Sequence, residues 1–122
     1  MNFKRGVNTR TGSKRIWYAM GVIQAVYWMY GQSCVFTSLK DGNHGNASKH
    51  YEGEGEAVDV RTRDIPLNIG NMIFKTIKGL LDPLGFDTVD ERLKDGKENP
   101  NGPHFHIEYD PKAGEALIKE VD

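Results

Sequence analysis

Apolar positions along this chain follow two periods. "IWYAMGVIQAVYWMYG", Ile16 to Gly31, carries no charge, and Ile16, Met20, Ile23 and Tyr27 recur at helical spacing. Ser13 stands where an N-cap belongs, so a helix is predicted from that point. A second helical stripe follows Pro66 and Asn68: Ile69, Met72, Ile73, Ile77, Leu80 and Leu81, closed by Pro83 and Gly85. Elsewhere the period is two. Ser33–Thr37, "EAVDVRT", "FDTVDE" and "HFHIEYD" predict strands; in the second, Ala57, Asp59 and Arg61 share one face and Val58 and Val60 the other. Residues 1–15 read as an irregular basic arm, Leu39 to Ser48 as a loop, Arg92 to Gly102 as a polar hairpin-like connection, and the tail from Gly114 as a last helical turn or two. The order α-β-β-α-β-β predicts an α+β domain, a small antiparallel sheet with helices packed on one face.

Composition narrows the class. A chain of 122 residues that is 38% hydrophobic and 27% charged suits one globular domain spanning 1–122. A single cysteine, Cys34, leaves no internal disulfide and excludes a disulfide-built scaffold; within "SCVFTS" it reads as a small buried hydrophobe. Residues 1–40 carry six basic residues and no acid, against −1 for the whole chain. That arm reads as solvated, with an anionic polymer such as cell wall as the other reading. No basic groove interleaved with aromatics points to nucleic acid. The uncharged run after the basic residues imitates a signal peptide but lacks an A-x-A site, and it is shorter than the roughly 20 residues of a membrane span. It reads as a buried core helix, and the expectation is a monomer made in the cytosol without a signal peptide.

The candidate chemistry lies on two strands. In "HFHIEYD", His104, His106 and Glu108 project to one face while Phe105, Ile107 and Tyr109 project to the other. Unpaired polar groups are costly to bury, so the first face is wet or liganded. Asp59 sits between two core-facing valines on "EAVDVR", and His50 precedes it. His50, Asp59 and His106 together offer two nitrogens and a carboxylate oxygen, the composition of a catalytic zinc site with an open fourth position. The plain alternative for any one of these histidines is a structural or surface role. Glu52, Glu54 and Glu56 lack EF-hand spacing and read as a solvated acidic loop rather than a calcium site.

At these residues the sequence resembles the zinc D-Ala-D-Ala carboxypeptidase and L-alanyl-D-glutamate endopeptidase family, which includes many phage endolysins and shares its fold with the hedgehog signalling domain. The family pattern is S-x-H-x-x-G-x-A-x-D followed by H-x-H. Ser48, His50, Gly55, Ala57 and Asp59 match the first part, and "HFHIEYDP" the second, with the likeness covering roughly residues 35–111. The resemblance implies zinc held by His50, Asp59 and His106, substrate held in part by Ser48, and a bacterial peptidoglycan peptide as substrate. It further implies an enzyme made in a host cytoplasm that acts at the cell wall or as a virion component. "YEGEGEAV" between His50 and Asp59 is two residues longer than the family pattern, which preserves strand parity; His44 is the rival first ligand. For the proton-transfer group, Glu91 matches the family's strand-end glutamate and Glu98 is the nearer alternative in sequence, while His104 is placed to stabilise an oxyanion or shuttle a proton. The alternative function is a non-catalytic metal-binding or structural module of the same fold in a phage assembly.

Overall fold

A computed structural model describes residues 1–10, 12–41 and 56–110. Its elements are β1 (Asn2–Phe3), α1 (Lys14–Met29), β2 (Val35–Asp41), β3 (Glu56–Arg61), α2 (Leu67–Leu81), β4 (Phe86–Glu91), β5 (Leu93–Lys94), β6 (Lys97–Glu98) and β7 (His104–Tyr109). Five strands form one sheet in the order β1-β2-β3-β7-β4, and β5 and β6 form a separate hairpin. The α+β class is as expected, but the sheet is mixed rather than antiparallel, because β1 runs parallel to β2. The "arm" is therefore partly sheet. Apolar Phe3 explains it: its ring packs 6.0 Å from Trp17 and 5.7 Å from Phe36, and the Lys4 amide donates to the Phe36 carbonyl.

Both helices cover one face. Ile16, Ala19, Met20, Ile23 and Tyr27 of α1 and Ile73, Ile77 and Leu81 of α2 join Val58, Val60, Phe105 and Ile107 in one core, all with no exposed surface. Ser13 caps α1 as expected, its hydroxyl accepting from the Ile16 amide. Cys34 is buried and its thiol is pushed up to about 12 by that burial.

Several expectations need correcting. The Ile16–Gly31 run is not a fully buried helix: Tyr18, Trp28 and Met29 lie on an outer face, Trp28 with 80% of its surface exposed. On α2, Met72 and Leu80 are likewise outside the core. β2 continues to Asp41, into the expected loop, since β3 extends far enough to pair with it. Glu56 is buried, not solvated. Its carboxylate accepts from the Arg15 guanidinium at 2.7 and 2.8 Å and from the Ser13 hydroxyl at 2.8 Å, tying the start of β3 to the start of α1. Glu52, Glu54 and the helical tail lie outside the described residues. No helix among the described residues is long and apolar enough to cross a membrane.

Candidate metal and proton-transfer site

Among the described residues no helix lies over the second face of the sheet, and strand alternation puts the polar residues there. Asp59 on β3 stands directly opposite His106 on β7, and Arg61 opposite His104. On the far side of β7, β4 sets Glu91 opposite His104 and Asp87 opposite Glu108. Three strands thus bring Asp59, Glu91, His104, His106 and Glu108 onto one surface, from positions up to 49 residues apart in sequence.

Core contacts on the other face hold this arrangement. Val58, Val60, Phe105 and Ile107 are sealed under the helices, so their neighbours in sequence must point outward. Glu91 is positioned in a similar way. Asp90 and Arg92 on either side of it pair at 2.6 Å, and Arg92 also donates to Asn71 on α2 at 2.7 Å and lies over the Phe105 ring. Buried Asn99 donates to the Glu91 carbonyl at 3.0 Å and its amide to the Arg92 carbonyl at 3.1 Å, holding the connection from β4 to β7 against the strand end. That connection turns through Asp95 and Gly96, both at positive φ, the geometry of a two-residue hairpin.

His106 Nδ1 donates to Asp59 Oδ1 at 2.6 Å, and its Nε2 faces Glu108 Oε1 at 3.5 Å. The hydrogen bond with Asp59 raises the imidazole above its ordinary value, burial works against it, and Glu108 adds to the rise. His104 is oriented differently. Its Nδ1 donates to the Gly102 carbonyl at 2.8 Å, which aims Nε2 at Glu91 Oε1, 3.5 Å away, and at Asp59 Oδ2, 3.9 Å away. A carbonyl only accepts, so the proton on Nδ1 is settled and Nε2 is the atom free to exchange one with Glu91.

One imidazole nitrogen and one carboxylate oxygen on adjacent strands form a donor set that suits zinc. At 2.6 Å His106 Nδ1 and Asp59 Oδ1 share a proton, and the two would hold a metal only with that contact opened. Were His106 to hold a metal through Nδ1, that nitrogen would have to give up its proton, and Glu108, 3.5 Å from Nε2, would accept from Nε2–H and fix the ring. Among the described residues no three histidine, cysteine or acidic side chains are grouped to hold a metal ion. The expected third ligand, His50, its rival His44, and Ser48 all lie outside the described residues.

Of the residues named from sequence, the structure brings together Asp59, His106, His104 and Glu91. Glu98 is on the exposed β5–β6 hairpin. The reading missed a role for Glu108, although it shares the parity of His104 and His106, and it missed Asn99, whose only signal was an amide just before Pro100 in a turn-rich stretch. No family model, curated protein or solved structure matches the chain, so the family likeness rests on its motifs.

Proposed function

We propose that the chain is a zinc-dependent peptidase that hydrolyses peptide bonds of bacterial peptidoglycan stem peptides, in a phage lytic or virion-associated setting. The observation that carries the proposal is the register that sets Asp59, His106, His104 and Glu91 side by side on the face of the sheet opposite the two helices. The motif likeness supplies the substrate class. Asp59 and His106 are the proposed ligands from the described residues, with His50 as the third. Zinc, when bound, supplies an electrophile for the scissile carbonyl and an acidified water.

The remaining roles belong to the chain's own groups. Glu91 takes a proton and returns it to the leaving amine. His104 holds its Nδ1 proton on Gly102 and relays through Nε2, within reach of Glu91. Glu108 fixes the ring of His106. Ser48 is proposed to hold substrate.

Metal content by mass spectrometry on wild type and His106→Ala tests the reading, followed by digestion of purified peptidoglycan with and without chelator. About one zinc per chain in wild type, absent from the variant, together with chelator-sensitive release of peptides, is the expected result. Zinc without hydrolysis would make the chain a non-catalytic metal-binding module of the same fold. No zinc, even after adding it back, would overturn the metallopeptidase reading.

A further inference from the structure

Away from the site, the outer side of α1 and the edge of β1 frame a cleft of about 360 Å³. Cys34 in its lining belongs to the core under the helices, whereas Asp59 and His106 pair on the other face of the sheet. Among the described residues no charged side chain lines the cleft. Asn2, Gln24 and Gln32 supply amides, and Trp28 supplies an indole with 80% of its surface exposed. Gln24 Oε1 is sealed from water and has no hydrogen-bond partner among the described residues. An amide oxygen left so costs free energy. Turning the amide about its last side-chain bond, a soft torsion, carries that oxygen to the cleft, where a ligand hydroxyl can donate to it. Gln32 is already held, its Nε2 donating to the Tyr30 carbonyl at 3.3 Å.

Gly21 keeps the wall of the cleft open. A Cβ built there meets no atom within 4 Å, although glycine weakens a helix interior relative to alanine. Tyr18, Gly21, Ala25 and Trp28 follow one another at three- and four-residue steps. Two exposed aromatics therefore stand on one side of α1, about 15 Å apart along its axis, with small residues between them. Uncharged amides beside an open aromatic face match a neutral pyranose. Its hydroxyls donate and accept as the amides do, and its polarised C–H groups lie on the negative face of the indole. A fatty chain would leave the amides unpaired. The Met1 α-amine, whose charge reaches Cys34, makes a small anion the rival ligand. The volume is at the small end of ligand sites, which suits single rings of a chain laid along the helix.

We infer that this cleft binds a neutral sugar ring of a glycan chain, a contact made on the opposite side of the sheet from the proposed metal site. The inference does not depend on the peptidase reading, and its test needs neither zinc nor turnover. Calorimetric titration of chelator-treated protein with tri-N-acetylchitotriose is expected to show saturable binding in the millimolar range. Sorbitol, which has hydroxyls but no ring face, is expected to show none. Trp28→Ala, at an exposed position, is expected to weaken binding about tenfold. Gly21→Leu, which fills the cleft from its wall, is expected to abolish binding while the thermal midpoint stays level or rises, since leucine suits a helix better than glycine. Thermal melts verify that both variants fold. No binding of the trisaccharide, equal binding of sorbitol, affinity that survives either substitution, or displacement by inorganic phosphate overturns the inference. Trisaccharide binding in a protein without zinc or hydrolysis fails the peptidase reading and leaves the cleft. Zinc-dependent hydrolysis in a protein that binds no trisaccharide fails the cleft alone.

Discussion

The two faces of β3 and β7 are built from alternate residues of the same strands, yet different forces hold them. Under the helices, Val58, Val60, Phe105 and Ile107 are fully buried and held by apolar packing. On the open face, the side chains of Asp59, His104 and His106 keep 16 to 23% of their surface and are held by hydrogen bonds to one another and to Gly102. Apolar burial contributes to stability in proportion to area, while half-wet polar pairs contribute little net energy but fix direction. The covered face therefore accounts for the fold, and the open face can carry chemistry because little of the fold depends on it.

The largest expected effect tests that division directly. Phe105 has no exposed surface, and its ring packs 5.3 Å from Phe74. Phe105→Ala is expected to destabilise the protein by about 3–5 kcal/mol, measured by urea unfolding. His106→Ala, one residue along on the opposite face, is expected to stay within about 1 kcal/mol in metal-free protein. Similar losses for both would mean the open face is a second structural layer. On the catalytic side, Glu91→Gln is expected to lower peptidoglycan hydrolysis by about 100-fold or more with zinc content and unfolding midpoint unchanged.

The covered face was readable because burial imposes strict periodicity. The stripe Ile16, Met20, Ile23, Tyr27 and the alternation in "HFHIEYD" both follow from side-chain geometry and needed no tertiary information. The outer surface of α1 was misread for the same reason: Tyr18, Trp28 and Met29 are as apolar as the core, and the run of apolar residues alone does not say that they lie outside it. β1 was missed because two residues carry no period, and Phe3 joins the sheet through contacts with distant Trp17 and Phe36. On the open face, parity placed Asp59, His104, His106 and Glu108 correctly, but which strand lies beside which is a matter of topology. The meeting of Glu91 with His104 depends on β4 pairing with β7, which no local pattern states.

Glu56 sharpens the comparison, since it is a charged group placed on the covered side of β3. Its carboxylate is nearly sealed while the Arg15 side chain that binds it remains 49% exposed. Glu56→Ala strips two donors, Arg15 and the capping Ser13, of their acceptor and is expected to cost about 1–3 kcal/mol, more than His106→Ala. If it costs less, the α1 start is held by Ser13 and packing alone.

The smallest effect concerns pH at the edge between the two faces. Burial would raise the Asp90 carboxyl, but hydrogen bonds from the Arg92 side chain and amide, together with its charge, hold it below its ordinary value. A carboxylate whose folded-state pKa lies below its unfolded one adds stability that is complete above the unfolded value and disappears as pH falls through the folded value. Asp90→Asn is therefore expected to be less stable than wild type at neutral pH by less than about 1 kcal/mol, and the gap should close as the pH is lowered through the carboxylate range. Denaturant midpoints measured from neutral to acid pH provide the check. The same substitution loosens the clamp that turns Glu91 toward His104, so a fall in hydrolysis larger than the fall in stability would show that Asp90 serves the open face by direction more than by energy. Equal stability gaps at every pH would mean that the pair with Arg92 does not hold in solution, and the placement of Glu91 would then rest on Asn99.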